Sequence, residues 1–79
     1  AMQIEPVDLA GVVAQAVAMA EPAARERGIA IRTAGGVAGL SVRADRRCLL
    51  QVLGNLLSNA VKYNRPQGEV TIDAVAEAA

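Results

Sequence analysis

The sequence predicts an α+β fold, a partial two-layer α/β sandwich in the order helix-strand-strand-helix-strand with a small mixed or antiparallel sheet. Three observations carry this. Two long stretches, Asp8 to Arg27 and Asp45 to Asn64, repeat apolar residues at the helical period; short runs between and after them alternate like strands; and segments bearing Gly or Pro separate them. The 79 residues read as one unit, at the low end of what a single core can stabilise. Hydrophobic residues make up 53%, but much of that is Ala and Val, with one Tyr and no Phe or Trp, so a thin core and modest stability are expected.

In chain order, Ala1 to Val7 reads as a lead-in, because Pro6 disfavours helix at Glu5 and Asp8 then offers an N-cap. Leu9, Val13, Ala16, Val17, Ala20 and Ala24 follow the helical period, and Gly28 suits the position just past the helix end. Pro22 is expected to kink or split this helix near Glu21. Ile29 to Thr33 and Leu40 to Arg43 read as strands joined by a loop containing Gly35, Gly36 and Gly39, which suggests an antiparallel pair. Asp45 caps the second helix, Asn64 to Gly68 turns the chain, and Glu69 to Val75 forms a last strand.

The second helix is the informative one. Leu49, Leu50, Leu53, Leu56, Leu57 and Ala60 fall in one arc as a packing face, while Gln51, Asn55, Asn59 and Lys62 fall opposite. A solvated face favours Glu, Lys and Arg over Asn, so two asparagines four residues apart call for a reason. A carboxamide oxygen can coordinate Mg²⁺, a lysine can meet phosphate oxygens, and the ring of Tyr63 at the border of the two faces can meet a flat base. Asn55, Asn59, Lys62 and Tyr63 therefore suit a magnesium nucleotide. Spacing alone equally accommodates a plainer arrangement, with the amides bonded to neighbouring loops, Lys62 solvated at the helix end and Tyr63 in the core.

The run DRRCLLQVLGNLLSNAVKYN, Asp45 to Asn64, closely resembles the N-box helix of sensor histidine kinases, in the ATP-binding domain shared with gyrase-type and heat-shock-chaperone-type ATPases. PVDLAGVVAQAV, PAARERGIAI and SVRADRRCLLQVL resemble the approach to that box, and GEVTIDA the strand after it. The resemblance implies half of a Bergerat-type ATPase fold, with residues 1–79 as the N-terminal part of the domain. It implies Asn59 as the Mg²⁺ ligand, Lys62 at the nucleotide phosphates and Tyr63 beside the adenine. Asn55 matches the position where water-hydrolysing relatives carry a general-base glutamate, and an amide cannot take a proton from water, which favours the kinase branch.

The family's later glycine boxes and lid have no counterpart in the chain, and there is no histidine to accept a phosphoryl group. Mg-ATP is accordingly expected in the complete domain and none on this fragment alone. The implied partners are the remainder of the kinase domain, a phosphoacceptor-histidine domain and a response regulator. An unpaired sheet edge makes self-association of the fragment an expectation. The alternative is a non-catalytic adaptor or dimerisation module derived from the same fold.

Eight basic and eight acidic residues cancel, which argues against nucleic acid and against a polybasic membrane patch. No apolar run reaches the length of a membrane span. The single Cys48 fits a reducing, cytoplasmic setting, and in the first turn of a helix it is expected to be packed and inert.

Overall fold

The computed structural model describes residues 2–75; Ala1, at the start of the expected lead-in, and residues 76–79 lie outside the described residues. The elements run β1 (Glu5–Asp8), α1 (Leu9–Arg27), β2 (Ala30–Thr33), the 3₁₀ turn η1 (Gly35–Val37), β3 (Ser41–Ala44), α2 (Arg46–Lys62) and β4 (Glu69–Ile72). The α+β class is as predicted, with one more strand than the sequence suggested. The restriction that keeps Glu5 out of helix before Pro6 leaves it extended, and that extended segment finds a partner.

The strand pairing differs from the expected β2–β3 hairpin. β1 pairs antiparallel with β3, setting Val7 opposite Val42, and β2 pairs parallel with β4, setting Ile31 opposite Val70. The connection between β2 and β3 is too long for a tight hairpin and folds into η1, whose Val37 is fully buried and anchors the glycine loop. A parallel pair needs a long crossover, and here η1, β3 and α2 provide it.

Helix α1 runs unbroken through Pro22, so of the kink or split expected near Glu21 the split does not occur. The hydrogen bond that proline removes would have gone to the Ala18 carbonyl, and both Ala18 and Pro22 are exposed, so water can take its place. Beyond Pro22 the helix is anchored by Ala24, which is buried with Ile29 and Val61 and flanked by Ile31 and Val70. Gly28 adopts a φ of 67° and closes the helix, while the next amide, of Ile29, reaches back to the Ala24 carbonyl at 2.8 Å. Asp8 sits at the N-cap position but its side chain makes no capping bond; the Leu9 amide donates to the Leu40 carbonyl instead, at 3.0 Å.

The core is thin, as the composition suggested. Val7, Val12, Val13, Ala16, Ala24, Ile29, Val37, Leu57 and Val61 are buried, and the largest side chains fully removed from solvent are Val12 and Val37. On α2 the packing face is centred on Leu57 and Val61, and Leu56, expected within it, is 60% exposed. Cys48 is likewise exposed, against the expectation of a packed thiol. Among the described residues no helix is long and apolar enough to cross a membrane.

Asp45 caps α2 as predicted. One carboxylate oxygen accepts the Arg47 and Cys48 amides at 3.0 and 3.1 Å, and the other accepts the Gln3 amide at 2.9 Å, tying the segment before β1 to the start of α2. The Gln3 bond first, then the Cys48 bond, hold the Asp45 pKa below 3.8. A carboxyl with a lowered native pKa contributes stability that is fully present above its unfolded value and lost as pH falls through the native value. The melting-temperature gap between the parent chain and Asp45→Ala should therefore be constant near neutrality and shrink as pH falls below 3.8. Gly68 gives a second check. A Cβ there would lie 2.9 Å from the Arg65 carbonyl and against the Asn64 side chain, so Gly68→Ala should destabilise the chain by about 1–3 kcal/mol in denaturant titration.

Candidate functional site

Asn55, Asn59 and Lys62 lie on α2 at helical spacings of four and three, and all are exposed on the side of the helix away from Leu57 and Val61. Along the axis the amides are roughly 6 Å apart, with Lys62 one further turn on. Tyr63 ends the helix, 77% exposed, with its amide donating to the Asn59 carbonyl at 3.0 Å. The Lys62 ammonium lies 5.3 Å from the centre of the Tyr63 ring. Among the described residues neither the Asn55 nor the Asn59 carboxamide is engaged in a hydrogen bond to a cap or loop, and Lys62 forms no ion pair.

The set divides. Asn55 borders an open groove of about 580 Å³ between α1 and α2, together with Gln51, Gly54 and Ser58. Asn59, Lys62 and Tyr63 do not line that groove and are exposed to solvent. Val52 and Leu56, 54% and 60% exposed, precede Asn59 and Tyr63 at the spacing of one helix stripe, so amide and ring stand in line with uncovered apolar side chains.

The end of α2 is held by groups remote in sequence. The Arg27 guanidinium, at the last turn of α1, donates from one nitrogen to the Val61 and Lys62 carbonyls and from another to the Asn64 carbonyl. The Arg27 carbonyl in turn accepts the Gln67 amide at 2.9 Å. Asn64 braces the turn that follows: its side-chain amide donates to the Glu69 carbonyl at 3.1 Å and its oxygen accepts the Arg65 amide at 2.9 Å.

A sequence of 38% identity over 71 residues is found in the cell-division control histidine kinase PdhS of Brucella anthropi, and 37% over 71 residues in the proteins of the same name from Brucella canis and Brucella melitensis. Each match covers 90% of this chain and 7% of the relative. Among solved structures, the catalytic domain of histidine kinase ThkA, in a nucleotide-free form, matches with a TM-score of 0.77 and 27% identity over 91% of this chain and 50% of that one. The chain is homologous to the histidine kinase PdhS, and its α+β fold matches half of a histidine kinase catalytic domain. No protein-family model matches it. The chain spans about 7% of the length of the curated relatives it matches.

The four residues singled out by spacing are all exposed, on α2 or at its end, and Tyr63 is not in the core. Two contributors escaped the sequence reading. Arg27 stands in the sequence as the end of the first helix and Asn64 as the start of the turn after the second; their partners lie across the fold or in backbone groups, which no local pattern marks. Because Tyr63 is the single aromatic residue, its emission reports this end of α2 alone. Acrylamide should quench it nearly as efficiently as it quenches a free tyrosine derivative, and strong protection from quenching would contradict the exposed placement.

Proposed function

We propose that the chain is the N-terminal part of the ATP-binding domain of a cytoplasmic two-component sensor histidine kinase, with residues 45–64 as its N-box helix. The observation that supports this best is the outward set Asn59, Lys62 and Tyr63, unengaged by the rest of the described residues, in a fold that matches half of a histidine-kinase catalytic domain. The donor chemistry fits a magnesium nucleotide. No cluster of three or more acidic, Cys or His residues is found among the described residues, and Mg²⁺ bound through one amide, waters and phosphate oxygens needs none. Asn59 would supply that amide, Lys62 a charge for the phosphates and Tyr63 a face for the adenine, with Asn55 beside them. Bound Mg-ATP supplies the γ-phosphoryl group, with its charge neutralised by the metal.

The chain's own residues bind and orient; none of them takes a proton. An amide at Asn55 leaves water without a base, which suits transfer to a histidine over hydrolysis. The acceptor would lie on another domain, since this chain contains no histidine. The remaining kinase domain, that acceptor domain and a response regulator are the partners the reading requires. In a polypeptide that includes the rest of the catalytic domain, Asn59→Ala should abolish labelling from γ-labelled ATP while far-ultraviolet circular dichroism stays unchanged; normal labelling would refute the assignment. By calorimetry these 79 residues alone should show no measurable ATP affinity, and micromolar binding would contradict that.

A second reading, a non-catalytic adaptor or dimerisation module, is favoured by uncovered surface. Val52 and Leu56 are exposed, and β4 has a partner strand on one side only among the described residues. Sedimentation of the chain should show association that grows with concentration, and a monomer at every concentration would count against this reading.

A further inference from the structure

Side chains as open as Lys62 and Tyr63 are not placed by packing. Tyr63 is 77% exposed, and the Lys62 ammonium, also exposed, lies over the Tyr63 ring at 5.3 Å from its centre. Their directions therefore follow from the backbone that carries them. A helix C-terminus leaves its last carbonyls without intrahelical partners and is prone to fray. In α2 the Asn59 carbonyl is met by the Tyr63 amide, whereas the Val61, Lys62 and Asn64 carbonyls converge on one guanidinium, that of Arg27.

We propose that Arg27 is a positioning residue for the nucleotide-facing end of α2, holding the peptide planes from Val61 to Asn64 so that Lys62 and Tyr63 leave the helix in fixed directions. This rests on the nucleotide reading of the preceding subsection. The geometry requires arginine. A planar fork can reach carbonyls on successive residues at once, whereas an ammonium is a point charge on a flexible stem. Arg27 is itself fixed at its backbone, because its carbonyl accepts the Gln67 amide at 2.9 Å and Gly28 ends α1 immediately afterwards. Arg25 offers an internal comparison: it lies in the same helical turn, bears the same charge and pairs with Glu21 at 3.8 Å on an exposed surface without touching α2. A cation near the end of α1 is thus not sufficient; the fork on the α2 carbonyls is the specific feature.

The test uses Arg27→Lys, which keeps the charge and most of the stem, with Arg25→Lys as the control. In the 79-residue chain, the Tyr63 ring resonances of Arg27→Lys should move toward random-coil values, and hydrogen exchange at the Val61 to Asn64 amides should rise at least about tenfold, while Val12 and Leu57 keep their protection and Arg25→Lys matches the parent. Unchanged Tyr63 resonances and exchange would overturn the proposal. Loss of protection throughout Arg27→Lys would overturn it too, by making Arg27 a general stability residue. In a polypeptide with the rest of the catalytic domain, Arg27→Lys should weaken Mg-ATP binding roughly 10- to 100-fold, with turnover recovering at saturating nucleotide; unchanged affinity would overturn the proposal. Should Asn59→Ala leave Mg-ATP affinity intact, the nucleotide reading fails, and the proposal for this end as a nucleotide-facing one fails with it. The Tyr63 signal would then still show whether Arg27 fixes the backbone, so the two failures are distinguishable.

Discussion

A thin core, supplemented by polar contacts at the two ends of α2, is the constraint on which the rest of this small structure depends. A core whose largest fully buried side chains are valines gives little shape complementarity to fix one element against another. Polar closures do that work instead. Arg27 gathers three carbonyls from Val61 to Asn64, and Asp45 gathers the Gln3, Arg47 and Cys48 amides, so α2 is held at both ends by groups from other parts of the chain or from its own cap. Between these two points Leu57 and Val61 need only exclude water, and small residues on α1 such as Ala16 and Ala24 allow the helices to approach.

This division of labour explains which features were legible in the sequence. The cap at Asp45, the helix that follows it and the stop at Gly28 are encoded within a few residues, and local patterns revealed them. Strand pairing is not local. Nothing in Ala30 to Thr33 specifies whether its partner is the next strand or the one after α2, and close approaches such as that at Gly36, where a Cβ would meet the Ala74 carbonyl at 2.7 Å, exist only once distant parts of the chain have met. Whether Pro22 splits its helix depends in a similar way on the rest of the fold. Its local cost is real, but the lost bond faces solvent while Ala24 and Arg27 beyond it are anchored by the rest of the fold.

The candidate site was legible as a set of residue types and not as a shape. Two of its members, Asn55 and Asn59, could be chosen because carboxamides are poor choices for a merely solvated helix face, and the structure leaves those amides unengaged by the other described residues. Leu56 could not be assigned correctly from period alone, because an arc of apolar residues wider than the contact with α1 looks the same in sequence whether its margin is covered or open. The second layer, Arg27 and Asn64, acts on backbone carbonyls, which every residue has and no motif marks.

The open margin of α2 and the open edge of β4 are parts of one surface. Leu56 and Ala60 line a groove of about 330 Å³ together with Val70, Thr71, Ile72 and Asp73, so the uncovered side of the helix runs directly into the strand that has a neighbour on one side only among the described residues. An element lying along β4 would at once pair its free backbone groups and cover Leu56, and would pass beside the stripe that carries Asn59 and Tyr63. That geometry bears on the choice between the two functional readings. An adaptor surface would be expected to present an apolar stripe separate from its polar positions, whereas here apolar and amide positions share a single line on α2 from Val52 through Leu56 and Asn59 to Tyr63. Mixed lines of this kind suit a wall that meets a ligand with a flat apolar part and a charged part, which is the chemical character of a nucleotide.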